Sequence, residues 1–247
     1  MNTFLVQYKN IGVAAQLLPQ PLEGVIGIIN ETVKGFFKQY NYGKSDTKDF
    51  MIYCRPSVER FVFSKLYDCI HSMYKIKNMA LDKEYLAKKQ AIKSYSFDQL
   101  LKLFIIPKNS IPPETTCTRF VCILTGIEKS NSPREKIRDI MRMDSEVKAA
   151  MTDLTRTNKL KSKEEQSKLY MCLLAICELS APTAEFNFLR DYLALQEKQY
   201  SNQQSILTSL QVYLSQLTIG KSHTLCECLQ FCVRPLIYSH LECIKSQ

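Results

Sequence analysis

The chain has 247 residues, 45% of them hydrophobic, no Trp, and a formal charge of +9. That length makes one large domain, or one domain with appendages, with enough apolar content for a real core. Only 7 glycines argue against a sheet-and-turn protein, and no G-x-G-x-x-G or G-x-x-x-x-G-K-[ST] phosphate cradle occurs.

Residues 1–20 are weakly patterned. Pro19 and Pro21 precede a predicted helix over 21–40, with Leu22, Val25, Ile28, Ile29, Val33 and Phe36 on one side. Gly24, Gly27 and Gly35 weaken it. Residues 41–47 read as a loop. A helix over 56–76 opens at Pro56, where a first turn tolerates proline, and repeats Val58, Phe61, Val62, Leu66, Ile70 and Met73 at helical spacing. A separate charged helix is expected over 78–94. A short one follows over 97–104, capped by Ser96.

Pro107, Pro112 and Pro113 mark a loop before an apolar helix over 115–130. Ser132-Pro133-Arg134-Glu135 is a start signal: Ser132 caps, Pro133 takes the first turn, Glu135 completes a capping box, and the helix runs to about Leu154. Residues 155–168 read as a polar connection. Lys168–Ser180 is apolar almost all round and belongs in the core. Helices over 186–199 and 203–217 follow, the second with a Leu207, Leu210, Tyr213, Leu214, Leu217 stripe, and Gly220 stops it. Residues 222–244 form a helical tail interrupted by Pro235. No strand is needed, so the fold class is all-α.

The positive charge is spread out. Its densest groups, Lys75–Lys93 and Arg156–Lys168, contain acidic residues and read as solvated surfaces rather than a nucleic-acid stripe. No nucleic-acid partner is expected, although a basic surface favours acidic partners or anionic membranes. The N-terminus has no signal-peptide pattern, and no apolar run is long enough to span a bilayer. Of the ten cysteines, Cys69, Cys122, Cys172 and Cys177 lie in apolar helical runs, where free thiols pack as small hydrophobes. A reducing cytosol is the expected compartment.

Constellations for covalent chemistry do not stand out. The three histidines are His71, His223 and His240. His71 reads as a packed or surface residue, and Asp144, Glu146, Glu164 and Glu165 as solvated carboxylates. The tail carries His223, Cys226, Cys228, Cys232, His240 and Cys243, but not as C-x-x-C pairs. Leu225, Leu229, Cys232 and Leu236 there follow helical packing. Reversible palmitoylation of the tail cysteines is the other reading. No cofactor or metal is expected.

Four fragments, in order, resemble one family. Glu59-Arg-Phe-Val-Phe-Ser-Lys-Leu-Tyr resembles the opening helix of the vacuolar-protein-sorting-nine (VPS-nine) domain, and Ser132-Pro-Arg-Glu-Lys-Ile its proline-arginine-x-lysine helix start. Ser180-Ala-Pro with Phe188-Leu-Arg-Asp-Tyr-Leu resembles its asparagine-proline segment and the following helix. Ile206-Leu-Thr-Ser-Leu resembles its tyrosine-x-x-threonine-x-leucine helix. The agreement covers about residues 56–218.

The resemblance implies a layered helical domain over 51–218 with a helical extension before it, over 1–50; for that extension and the tail over 219–247 the open roles are packing against the domain, autoinhibiting it or recruiting it to a larger assembly. It implies guanine-nucleotide exchange on early-endosomal Rab GTPases, at the cytoplasmic face of endosomes, in vesicle trafficking. In the family an acidic finger displaces Mg²⁺ and engages the phosphate-loop lysine. Here the finger aspartate aligns near Ser167, the following proline near Met171 and the tyrosine on Ser205, while Thr208 keeps the threonine. Glu164 and Glu165 are the nearby carboxylates. A hydroxyl brings no charge to compete with phosphate, so weakened exchange is expected, and the alternative is a non-catalytic helical scaffold.

Overall fold

The computed structural model describes residues 2–40, 47–107, 110–157, 163–196, 203 and 206–211. The fold is all-α, with no strand among the described residues. In chain order the helices are α1 (Asn2–Gln7), α2 (Ile11–Gln16), α3 (Gln20–Tyr40), α4 (Thr47–Ile92), α5 (Phe97–Leu103), α6 (Glu114–Gly126), α7 (Pro133–Arg156), α8 (Lys163–Ile176) and α9 (Pro182–Leu195). A 3₁₀ turn, Ile127–Lys129, follows α6, and residues 206–211 are helical. The contacts divide the chain into two compact units. Of the described residues, one holds those of Met1–Asp82, Gly126–Arg142 and Leu179–Leu207; the other holds those of Lys83–Thr125 and Met143–Glu178, with 208–211.

In the first unit, α3 buries Leu22, Val25, Ile29 and Val33, while Ile28 is half-buried and Phe36 exposed. The three glycines do not stop α3, because buried contacts outweigh intrinsic propensity. A Cβ on Gly24 would meet the Phe4 ring at an ordinary 3.5 Å, and one on Gly27 or Gly35 would meet nothing. Helices α1 and α2 are absent from the sequence reading. Six residues carry too little periodicity, and the Asn10 cap of α2, which accepts from the Val13 amide at 3.2 Å, is a single-residue signal.

Two expectations for α4 are corrected. The helices over 56–76 and 78–94 are one uninterrupted helix, since neither Gly nor Pro stands between Ser57 and Ile92 to end it. Pro56 lies inside this helix rather than in its first turn. An internal proline costs about 3 kcal/mol, offset here by tertiary anchoring. The neighbouring Arg55 donates to Asn30 Oδ1 at 2.8 Å, Glu59 Oε1 at 3.2 Å and Gln196 Oε1 at 3.1 Å.

The apolar stripe of α4 is also displaced. Val58, Val62, Leu66, Ile70 and Met73 are buried as read, but Phe61 is 56% exposed, and Phe63, Tyr67 and Tyr74 complete the inner face. Phe188 of α9 sits edge-on to Phe63, Tyr67, His71 and Tyr74, with ring centroids 5.5–6.2 Å away. Such pairs stabilise beyond their buried area.

Helix α9 starts at Pro182, four residues before the predicted start, and ends at Leu195. Its N-cap, Ala181, has no capping side chain. Two carboxylates from distant segments replace it. Asp82 accepts from the amides of Thr183 (2.7 Å) and Ala184 (3.2 Å), and Glu128 accepts from those of Ser180 and Ala181, both at 2.9 Å. Anions there also oppose the positive end of the helix dipole.

Helix α7 begins at Pro133 and runs to Arg156, close to expectation. Its capping box is half formed. Ser132 Oγ accepts from the Glu135 amide at 3.3 Å, but the Glu135 carboxylate accepts from Arg60 at 2.7 Å instead of returning to residue 132.

The second unit is built on α8, whose Leu169, Met171, Cys172, Leu173 and Leu174 are all buried, as its all-round apolar pattern predicts. The helix begins at Lys163, inside the predicted polar connection. Leu100, Leu101, Phe120, Leu124, Met143, Val147 and Met151 are among the residues buried with it, and Phe120 packs edge-on to Tyr170 at 5.8 Å.

Helix α5 has the predicted Ser96 cap, as a full capping box with Gln99. It ends in a Schellman motif: Ile106 N donates to Leu101 O at 2.8 Å and Ile105 N to Lys102 O at 3.1 Å. The position usually filled by glycine holds Ile105, at φ 55°. A side chain in this left-handed region costs about 1–2 kcal/mol. Residues 41–46, the continuation to Leu217, Gly220 and the Cys/His-containing tail lie outside the described residues.

Candidate functional site

The polar residues of the first unit converge on two buried carboxylates. Glu59, on α4, accepts from Arg134 Nε at 2.8 Å, Arg55 Nε at 3.2 Å and Tyr192 Oη at 3.2 Å. Glu185, on α9, lies 2.7 Å from Lys136 Nζ, 3.1 Å from His71 Nε2 and 3.2 Å from Tyr67 Oη. Tyr67 Oη also accepts from Lys136 Nζ, and its ring stacks on His71 with centroids 4.9 Å apart.

Burial pushes the Glu185 carboxyl up, but the His71 hydrogen bond and the Lys136 charge outweigh it and hold the group below its ordinary value. Burial, reinforced by Glu185, pushes the Tyr67 phenol up, so its proton stays in place. Glu185 is fully buried. The arrangement therefore fixes helices to one another and is closed to substrate.

Sequence reading missed this network. Its signal was present: Glu59, Tyr67 and His71 fall on the buried arc of α4, and Glu185 falls one turn before Phe188 and Leu189 and two before Tyr192 on α9. A carboxylate on an apolar stripe announces a partner, but not which one.

The residues predicted to meet a GTPase are distributed differently. Ser167 and Met171 lie four apart on α8 and so share a face. Met171 is 2% exposed and offers no surface, a correction that follows from the central place of α8, whereas Ser167 is half-buried. Thr208 is exposed in the helical segment 206–211. Glu164 and Glu165 lie in the first turn of α8. Ser205 lies outside the described residues.

Of the carboxylates read as solvated, Asp144 is instead buried, where it accepts from Tyr170 Oη at 3.2 Å and pairs with Lys148 at 2.7 Å, while Glu146 pairs with Arg119 at 3.1 Å. Cys172 and Cys177 are buried, which pushes each thiol up to about 12, and Cys122 is exposed. Among the described residues no group of three His, Cys, Asp or Glu is placed to hold a metal, and no helix is long and apolar enough to cross a membrane.

No family model, curated protein or solved structure matches this chain.

Proposed function

We propose that the chain is a VPS-nine-like regulator that binds early-endosomal Rab GTPases and accelerates nucleotide release weakly or not at all. One observation carries this reading. Three of the four fragments that resemble the family meet at one carboxylate: Glu59 of the first accepts from Arg134 of the second and Tyr192 of the third, and in a separate cluster Tyr67 of the first accepts from Lys136 of the second.

The weakness of exchange follows from charge. A GTPase holds its nucleotide by neutralising phosphates with lysine and Mg²⁺. An intruder must bring negative charge to compete for both. Ser167 brings a hydroxyl, and Met171 is interior. The accessible part of the expected surface is therefore Ser167 on α8 and Thr208 beyond α9.

The test is a panel of purified Rab GTPases, titrated for binding and timed for release of a fluorescent nucleotide. The expected result is binding to an early-endosomal member with little acceleration, and faster release with Ser167→Asp. Binding to no member overturns the reading. Stable partners that are not GTPases favour the second reading, a helical scaffold, which the uncharged finger position also supports.

A further inference from the structure

We infer that the turn after α5 is a docking point for an anionic lipid surface, with Ile105 as its apolar anchor. Ile105 is a β-branched side chain held at φ 55°, where glycine closes such a turn without penalty, and it is 73% exposed. The backbone around it is not loose, since the two Schellman hydrogen bonds hold it and the flanking Leu101, Phe104 and Ile106 are buried. A strained, fixed position thus presents most of an aliphatic side chain to water. Such strain persists where it serves contact with something else.

Charge chooses the occupant. Residues 83–107 contain Lys83, Lys88, Lys89, Lys93 and Lys102 against Glu84 and Asp98, a formal +3. Lys88 is taken up by Glu84 at 2.5 Å, and Lys89 donates to the Cys177 carbonyl. Lys93, before α5, and Lys102, in its last turn, are both exposed, Lys102 three residues before Ile105. Tyr95, also partly exposed, precedes the Ser96 cap. An isolated aliphatic tip with a lysine one turn before it, and a further lysine and a tyrosine at the other end of the short helix, suit the boundary between lipid headgroups and acyl chains, where apolar carbon enters, ammonium groups meet phosphate and phenol sits between. A protein groove would instead demand a wider apolar face.

This inference is independent of any GTPase. Its test is co-sedimentation of the full chain with phosphatidylcholine vesicles, with and without about one third phosphatidylserine. The wild type should bind the anionic vesicles, and binding should fall as salt rises. Ile105→Gly should weaken partitioning about tenfold, the loss of one aliphatic anchor, while raising the melting temperature because glycine suits the left-handed turn. Lys102→Glu should weaken it without that gain. No binding to anionic vesicles at low salt, or wild-type binding by Ile105→Gly, overturns the inference. Concentration-dependent self-association that Ile105→Gly abolishes, without vesicle binding, makes a second copy the occupant and also overturns it.

Discussion

The ammonium of Lys136 lies 2.7 Å from Oε1 of Glu185, and neither side chain is exposed to solvent. The two residues stand on different helices and 49 positions apart. Desolvating two charges is expensive, and their attraction offsets that cost only while both remain. Lys136→Met should therefore lower unfolding free energy by about 3–5 kcal/mol. The double variant Lys136→Met/Glu185→Leu should lose clearly less than the sum of the single changes. Urea titrations of the four proteins decide it, and additive losses would refute the coupling.

The same pair sets a pH dependence. Glu185 is held below its ordinary value of 4.5. A carboxyl depressed in the folded state contributes stability that is present above the unfolded value and lost as pH falls through the folded one. The melting-temperature gap between wild type and Glu185→Gln should be constant near neutrality and shrink below about pH 4.5. A gap unchanged at pH 3 would mean that Glu185 is not depressed in the folded protein.

Asp82 stands in for the capping side chain that α9 lacks. Asp82→Ala removes acceptors from two amides at the helix start and should cost about 1–2 kcal/mol in thermal or urea unfolding. Introducing a local cap with Ala181→Ser should recover part of that loss. A neutral Asp82→Ala would mean that water satisfies those amides equally well.

Glu59 and Glu135 make a contrast in burial. Glu59 is enclosed and serves two arginines and a tyrosine, so Glu59→Gln should cost about 3 kcal/mol. Glu135 pairs with Arg60 at 2.7 Å, but that arginine is well exposed, so Glu135→Gln should cost less than about 1 kcal/mol. Equal losses in chemical denaturation would contradict the weight assigned to desolvation.

The divergence between sequence and structure is specific. The apolar run of α8 announces a core helix because nothing polar interrupts it from Leu169 to Cys177. The Ser96 and Ser132 caps announce two helix starts because a cap is a contact over three residues. By contrast, the start of α9 is not legible locally, since its caps come from Asp82 and Glu128. Phe61 and Phe63 lie two positions apart on one helix, and packing against Phe188 and Tyr192 of α9 chooses Phe63 for the interior. Met171 illustrates the same limit at the expected site: its alignment says nothing of its exposure.

By itself the sequence determined what short-range forces control: an all-α chain, its longest apolar segments, and several helix boundaries, through side-chain periodicity and local hydrogen bonds. Only the tertiary structure decided which charges are buried and with whom, because Glu59 meets Arg134, and Lys136 meets Glu185, only when helices far apart in the chain exclude water around them. It also decided that Ile105 occupies a left-handed turn, a position that hydrogen bonding around the helix end imposes and that the isoleucine side chain opposes.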